Sequence, residues 1–231
     1  MRQALTTTKI WYLSKVNLFG QLSSAEMEAL ANLSRMERIA KRQTVYLPGD
    51  PAETVFVIKE GRVKISRLSP DGKEITLAIL KEGELFGELS LVETGQREEI
   101  AEALAETVLC VIKKEDFEGL LKQKAGLALS VTKLIGFRRR ELESKLEELA
   151  FRDVPARLAN LLIKLARDFG GQDQKGTRIS LKLTHRDIGN LVGASRETIT
   201  LALNDFKRMG LIDFDRRNII VLKKEGLRAL I

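Results

Sequence analysis

Residues 183–204, LTHRDIGNLVGASRETITLALN, decide how the last third of the chain folds. Thr184 and Asp187 have the three-residue spacing that resembles a capping box, which predicts the start of a helix with an apolar face. Gly193 predicts a tight turn, because glycine adopts the left-handed backbone conformation at little cost. Ser195 is a favourable cap for a second helix. Two helices around a glycine turn indicate a helix-turn-helix, a motif that reads the major groove of DNA.

The second helix of this motif contains the side chains that we expect to meet DNA bases. Its outward positions near the N-terminal end are Arg196, Glu197 and Thr200, and recognition helices contact base edges with this end. Arginine can donate two hydrogen bonds to guanine, and glutamate can accept one from the amino group of cytosine. We therefore predict that these three residues read bases. The residues predicted to face inward are Ile199, Ala202, Leu203 and Phe206.

Hydroxyl and basic side chains around the motif are expected to bind the DNA backbone. Two runs, 211–214 and 218–222, indicate a hairpin whose turn is basic and therefore suited to phosphate. The alternative is a three-helix packing module with a charged face. The predicted phosphate-binding residues are Thr184, Ser195, Thr198, Arg216 and Arg217.

The charge of the chain is concentrated in the same region. The whole sequence has 39 Lys and Arg against 32 Asp and Glu, a net charge of +7. Residues 1–154 hold 24 basic and 24 acidic residues, whereas residues 155–231 hold 15 basic and 8 acidic residues. A neutral module joined to a basic module is typical of a protein that binds a polyanion with one end. A basic surface that is only solvated is the alternative.

The pattern of apolar residues changes along the first half of the chain. Residues 10–36 have helical spacing, with Ser23 and Ser24 as candidate caps. Residues 43–112 consist of short alternating runs separated by turn signals, which predicts an antiparallel sandwich or barrel. The strongest hairpin signal is Asp71-Gly72, between two runs of β-forming residues.

A long helical pattern follows Asp116 and continues until Pro155. A narrow apolar stripe on a long charged helix packs either on its own domain or on a twin helix. We expect pairing with a second copy, hence a homodimer, and a hinge at 151–155. The stripe consists of Val131, Ile135, Leu142, Leu146 and Leu149.

Several functional classes are disfavoured by what the sequence contains. One cysteine, Cys110, and one histidine, His185, cannot supply a disulfide network, a four-cysteine metal site or a Ser-His-Asp catalytic set. We therefore expect no catalytic residues, no metal site and no enzymatic activity. No apolar run approaches the length of a membrane span, so we expect a cytoplasmic protein with no membrane partner.

Five motifs resemble the cyclic AMP receptor protein and FNR family of bacterial transcription regulators. They are GDPAET at 49–54, DGKE at 71–74, FGELSL at 86–91, LAFRDV at 149–154 and VGASRET at 192–198, in family order.

The resemblance implies an α+β protein with a cyclic-nucleotide-binding-like β-roll, a long dimerisation helix and a C-terminal winged helix-turn-helix. The corresponding boundaries are an effector-binding sensor at 1–117, the helix and hinge at 118–154, and the DNA-binding domain at 155–231. The implied function is transcription regulation by a homodimer on inverted repeats of double-stranded DNA, with RNA polymerase as a further partner. Leu201 departs from the arginine that the cyclic AMP receptor has there, and it could contact a thymine methyl group.

The resemblance also implies an effector pocket, although this chain departs from the family pattern in it. The effector-binding residues expected from it are Gly87, Glu88, Leu89, Arg97, Glu98, Arg138, Leu142 and Glu143. Gly87, Glu88 and Arg97 have the spacing that binds a cyclic phosphate and a ribose hydroxyl. Glu98, however, follows Arg97 where a small residue is usual.

Three interpretations of this pocket follow. One effector is a cyclic nucleotide, and another is 2-oxoglutarate, a dicarboxylate that other members of the family bind. In the third, the charged residues form structural ion pairs, Arg97 with Glu98 or Arg138 with Glu143, in a regulator that needs no ligand. The alternative function is a nucleotide-binding regulatory subunit that controls a partner enzyme.

Overall fold

A computed structural model describes residues 16, 19–20, 22–92, 95–216 and 218–231 of the chain. The chain divides into two compact units, Met1–Arg140 and Glu141–Ile231. Both units contain helices and antiparallel strands, so the predicted α+β class is confirmed. The domain boundaries predicted at residues 117 and 154 stay predictions.

The described part of the first unit contains two four-stranded antiparallel sheets, ordered β1-β8-β3-β6 and β2-β7-β4-β5. Alternate residues of both sheets face a shared core that includes the rings of Tyr46, Phe56 and Phe86. The predicted hairpin at Asp71-Gly72 joins β4 to β5, and Gly72 has φ +79°. The strands are β1 Arg35–Ile39, β2 Thr44–Tyr46, β3 Thr54–Glu60, β4 Arg62–Leu68, β5 Glu74–Lys81, β6 Leu85–Phe86, β7 Ile100–Ala103 and β8 Thr107–Lys113.

The first described helix, α1, spans Ser24–Leu33. Ser23 caps it and forms a capping box with Glu26, in agreement with the predicted cap. The predicted helical region to Met36 is wrong at its end, because β1 begins at Arg35 and pairs with β8. The predicted helical residues 10–15, 17–18 and 21 lie outside the described part of the chain.

The single long helix predicted after Asp116 is two helices in the structure. They are α2, Lys114–Gln123, and α3, Ala125–Phe151. The break falls at Lys124, whose φ of −127° and ψ of 89° are not helical. Lys124 still donates its backbone N–H to carbonyls of α2, so the break leaves that donor satisfied.

The second unit is built around α4, Val154–Phe169. Asp153 caps α4 and accepts from the N–H of Ala156, while Pro155 occupies the first turn, where a missing N–H costs little. Helix α4 packs on the two helices of the helix-turn-helix and on the short C-terminal helix. The remaining elements are β9 Gly170–Asp173, β10 Gly176–Ile179, α5 His185–Val192, α6 Arg196–Arg208, β11 Ile212–Asp215, β12 Asn218–Val221 and α7 Lys224–Arg228.

The sheet of the second unit, ordered β11-β12-β10-β9, extends the hairpin that the sequence predicted. The hairpin is β11 with β12, and β10 adds to β12 through Thr177 and Arg178. Strands β9 and β10 were missed in the sequence, because GGQD and GTRI are short and contain glycine, which strands disfavour.

Candidate nucleic-acid interface and effector pocket

The helix-turn-helix forms as its local signals predict. The Thr184 hydroxyl accepts from the N–H of Asp187 at 3.1 Å, and the Asp187 carboxylate accepts from the N–H of Thr184 at 2.8 Å. Helix α5 then ends at Gly193, which has φ +74°. A side chain at this glycine would approach Leu149 to 2.8 Å. The turn therefore needs glycine for its conformation, and the end of the Leu149 side chain would have to move to admit any other residue.

The recognition helix α6 begins at Ser195, whose hydroxyl accepts from the N–H of Thr198 at 3.1 Å. Arg196, Glu197 and Leu201 are exposed on the opposite side of the helix from its buried face. The helix is thus anchored by its apolar side and offers a charged pair and one aliphatic side chain to a partner. The four residues predicted to face inward, Ile199, Ala202, Leu203 and Phe206, are all buried.

Thr200 is less available than the other two predicted base-reading residues. Its hydroxyl donates to the backbone carbonyl of Arg196 at 2.8 Å and lies 2.7 Å from Nδ1 of His185. Both contacts are within the motif, so a DNA base would compete with them. His185 thereby joins α5 to the recognition helix, a role that the sequence did not indicate because the two residues are fifteen positions apart.

The hairpin of β11 and β12 carries acidic residues that are neutralised within the second unit. Asp213 pairs with Lys175 at 3.2 Å and with Lys207 at 3.6 Å. The N–H of Phe214 and then Lys175 lower the pKa of Asp213. Asp215 pairs with Arg178.

The turn of this hairpin carries the predicted phosphate-binding arginines. Arg216 is exposed there, with φ +54°, and Arg217 lies outside the described residues. Phosphate binding by this turn stays a prediction.

The predicted effector pocket lies where β6 leads into a short 3₁₀ helix, Glu88–Leu91. Gly87 precedes this helix with φ +75°. The Glu88 carboxylate is buried and pairs with Arg138 of α3, which also donates to the carbonyl of Leu85. Arg138 therefore pairs with Glu88, and the predicted ion pair of Arg138 with Glu143 stays a prediction.

Arg97 makes a different set of contacts from those expected of an anion receptor. Its guanidinium donates to the carbonyls of Thr54 and Gly87, the latter at 3.2 Å. It also lies 4.5 Å from the ring centre of Tyr46 and 5.7 Å from that of Phe56. Burial lowers the pKa of Arg97 and raises the pKa of the Tyr46 hydroxyl.

A small cavity that is open to solvent lies beside this arginine. Glu98 lines the cavity and pairs with Arg67 of β4, so the predicted pair of Arg97 with Glu98 is wrong. Leu142 and Glu143, the other predicted effector residues, belong to the second unit, and their role stays a prediction. The lining residues are Ala52, Arg67, Gly87, Leu89, Ser90, Gln96, Arg97, Glu98 and Glu99.

Sequence reasoning missed Thr54, Tyr46 and Phe56 as neighbours of Arg97. They come from β2 and β3, some forty or more positions earlier, and no local pattern connects them to the arginine. Within the described ranges, no group of three or more His, Cys, Asp or Glu is arranged to hold a metal ion. Of the helices that the structure describes, none is both long and apolar enough to cross a bilayer.

The chain combines a β-sheet unit that contains a Gly-Glu turn with a capped helix-turn-helix followed by a hairpin. This combination is typical of transcription regulators that have a ligand-binding domain and a DNA-binding domain. Comparison with protein families agrees with this assignment. Residues 36–124 match the cyclic nucleotide-binding domain, and residues 156–230 match the Crp-like helix-turn-helix domain.

Individual relatives cover nearly the whole chain. The CRP-like cAMP-activated global transcriptional regulator of Mycobacterium tuberculosis is 30% identical over 93% of this chain and 96% of its own length. The global nitrogen regulator of Synechococcus elongatus is 34% identical, with coverage of 93% and 95%. The solved structure of the c-di-GMP responsive global regulator CLP of Xanthomonas campestris is 27% identical, with a TM-score of 0.78 and coverage of 86% and 99%.

The chain therefore belongs to the cyclic AMP receptor protein and FNR family of bacterial transcription regulators. It is a regulator of transcription with a helix-turn-helix that binds DNA, as the sequence predicted. The family consists of transcription regulators and not of enzymes. The match to a DNA-binding domain favours this function over a regulatory subunit of a partner enzyme.

Proposed function

We propose that the chain acts in the bacterial cytoplasm as a homodimer that binds inverted-repeat DNA, with Arg196 and Glu197 reading bases in each half-site. The carrying observation is the geometry of α6, whose apolar side is buried while these two residues are exposed. Guanine and cytosine are the bases that their side chains match. Leu201, 67% exposed on the same helix, adds an apolar contact suited to a thymine methyl group.

Phosphate binding completes the proposed interface. Thr184, Ser195 and Thr198 surround the start of the two motif helices, where free backbone N–H groups also favour anions. The hydroxyls of Ser195 and Thr198 are exposed and lie 2.9 Å apart. Arg216 and Arg217 serve the same purpose from the hairpin turn. RNA polymerase is the proposed further partner of the DNA-bound dimer.

Dimer formation is supported by the surface of α3. Leu129, Phe137, Leu142 and Leu146 are each at least 45% exposed on this helix. Apolar side chains repeated along one helix rarely face water unless a partner covers them. A second copy of α3 is the proposed partner, because a two-fold dimer places two recognition helices on successive major grooves.

Two versions of this proposal differ in how DNA binding is controlled. Gating by a small anion, either a cyclic nucleotide or 2-oxoglutarate, is supported by the cyclic nucleotide-binding family match and by the cavity beside Arg97. Its binding residues are then Gly87, Glu88, Leu89, Arg97, Glu98 and Arg138, with Leu142 and Glu143. Control without a ligand is supported by the internal contacts of Arg97.

Fluorescence anisotropy on duplexes selected from a random library tests the DNA-binding proposal. The selected sites should be inverted repeats with half-sites one helical turn apart, about 10 base pairs between centres. Removal of one half-site should weaken binding strongly, while Arg216→Ala should weaken binding to all duplexes and reduce the salt dependence by about one phosphate contact. Selection of sites without symmetry would contradict the proposal.

A further inference from the structure

The pocket around Arg97 carries an inference about control, which rests on the proposed function and deepens it. We propose that Arg97 is held by groups of the chain itself and does not bind an anion, so that the regulator binds its DNA without a small anionic effector. The arginine is then a structural residue of the sensor unit. The hydrogen bonds of Arg97, its position over the aromatic core and the carboxylates around the cavity support this assignment.

The first observation is that three of the five N–H groups of Arg97 have acceptors within the chain. Nη1 donates to the carbonyl of Gly87, and Nη2 donates to the carbonyl and the hydroxyl of Thr54. A phosphate or carboxylate needs the same fork of N–H groups. Its arrival would remove this donor from the Thr54 carbonyl, and a buried group that loses a hydrogen bond is costly. The Gly87 carbonyl would keep the N–H and the hydroxyl of Ser90 as donors.

The second observation is the position of the guanidinium against the aromatic core. It lies over the rings of Tyr46 and Phe56, and Arg97 as a whole is only 7% exposed. A cation over a ring face gains most when it is desolvated. An anion in the cavity would therefore face a guanidinium that packing and hydrogen bonds already hold in place.

The third observation concerns the Nε–H group of Arg97. Its Nε is buried and has no acceptor among the residues that the structure describes. This group could serve an anion only after Arg97 or its neighbours move, because no part of Nε is exposed to the cavity. The experiments below therefore include ligand binding as an explicit outcome.

The fourth observation is the charge of the groups around the cavity. Glu98 and Glu99 both line it, and the carboxylate of Glu98 already holds Arg67. Glu88, which would accept from a ribose hydroxyl, is held by Arg138. An anionic effector would therefore enter beside carboxylates. The nearby cations, Arg67 and Arg138, are already paired with carboxylates of the chain.

Thermal unfolding of the full-length chain separates a structural arginine from an anion receptor. The samples are the wild type, Arg97→Met and the matched control Arg67→Met, each alone and with millimolar cyclic AMP or 2-oxoglutarate. A structural Arg97 predicts that Arg97→Met lowers the ligand-free Tm by about 4 °C or more, and that no ligand shifts the wild type. Arg67→Met should change the Tm by less, since its pair with Glu98 is largely exposed.

Different Tm values are expected if Arg97 binds an anion. An anion receptor predicts an unchanged or higher ligand-free Tm for Arg97→Met, together with a ligand shift in the wild type that the variant loses. Either of these two findings would overturn the inference. If Arg97→Met does not fold, Arg97→Lys replaces it, because an ammonium keeps the charge but cannot form the same fork. An unchanged Tm for Arg97→Lys would also overturn the structural role.

DNA binding distinguishes failure of this inference from failure of the proposed function. The wild type should bind its selected inverted repeat equally well with and without either ligand. Allosteric control of ordinary strength changes affinity by about 5- to 150-fold, so a change of that size on addition of ligand overturns the inference alone. Absence of binding to any inverted repeat, with or without ligand, overturns the proposed function instead.

Discussion

The two units use the same pair of residue types in opposite ways. In the first unit, Glu88 is 5% exposed and Arg97 is 7% exposed, and both are engaged by groups of that unit. In the second unit, Arg196 and Glu197 are neighbours on the surface of the recognition helix. The first pair is therefore expected to stabilise the fold, and the second pair is expected to bind a partner.

This difference follows from the groups that pack against each arginine. Arg97 extends over aromatic rings of a sheet core. Backbone carbonyls and ring faces therefore offset the cost of removing its charge from water. Arg196 follows the cap of a helix that buries its apolar residues on the other side. Substitutions should therefore change the free energy of unfolding in the first unit and DNA affinity in the second.

The largest expected effect is at Arg138. Arg138→Met should lower the free energy of unfolding by about 3 kcal/mol, because it leaves the buried Glu88 carboxylate without its cation. Urea denaturation followed by circular dichroism measures this loss. Arg140→Met, two positions along the same helix and exposed, is the control and should change stability by no more than about 0.5 kcal/mol.

A second variant shows whether the loss comes from the ion pair. Glu88→Gln combined with Arg138→Met should be more stable than the sum of the two single losses predicts, because the residues interact directly. Strict additivity of the two losses would show that Arg138 stabilises the fold through contacts other than its ion pair with Glu88.

The contrast between the units also explains which parts the sequence could predict. The capping box at Thr184, the glycine turn at Gly193 and the cap at Ser195 each depend on residues within four positions, and all three are confirmed. The partner of Arg138 is fifty positions away, and a principal partner of Arg97 is forty-three positions away. Helical periodicity carries no information about such contacts, so sequence reasoning placed these arginines but not their partners.

Strand β1 was missed for the same reason. The residues Arg35–Ile39 alternate weakly, and their pairing partner is Thr107–Lys113, which lies far along the chain. A short strand at the end of a helical pattern has little local propensity to identify it. Tertiary pairing, rather than residue preference, makes this segment extended.

The next largest effect is expected at Arg196. Arg196→Ala should cost about 1–3 kcal/mol of DNA binding at the site with the preferred guanine and should leave the Tm unchanged. Anisotropy titrations against duplexes with each base replaced in turn measure the effect. The variant should no longer distinguish guanine at one position of each half-site.

Arg208, in the last turn of the same helix, provides the matched arginine. It is exposed and pairs with Asp205, so Arg208→Ala should keep both affinity and base preference. Equal losses for the two variants on every duplex would mean that the recognition helix contributes charge alone, and the assignment of Arg196 to a base would be wrong.

Lys145 differs from the exposed charges of the recognition helix, because it is a largely buried charge in the second unit. Burial lowers its pKa to about 8, against the ordinary value of 10.5. Between these two values the unfolded chain binds more protons at this site, so its contribution to stability rises with pH. Below pH 8 the folded chain carries the full cost of the buried ammonium.

Lys145→Met should therefore stabilise the chain by about 1–2 kcal/mol at pH 7, and most of this gain should be lost by pH 10. Urea denaturation of the variant and the wild type at both pH values measures it. The wild type at each pH corrects for all other titrating groups. A gain of the same size at both pH values would show that packing, and not the charge, is responsible.

The smallest effect is expected at Leu201, whose side chain is 67% exposed on the recognition helix. Leu201→Ala should weaken binding by about 1 kcal/mol or less, because only a few methyl and methylene groups can contact the DNA. Replacement of individual thymines by uracil, which lacks the methyl group, identifies the contact. Replacement of thymine by uracil at one position should lower the DNA affinity of the wild type but not that of the variant, because the variant has already lost the side chain that contacts the methyl group. Equal losses for both proteins at every thymine would show that Leu201 does not touch a methyl group, and the exposed face of this helix would then recognise DNA through its charged pair alone.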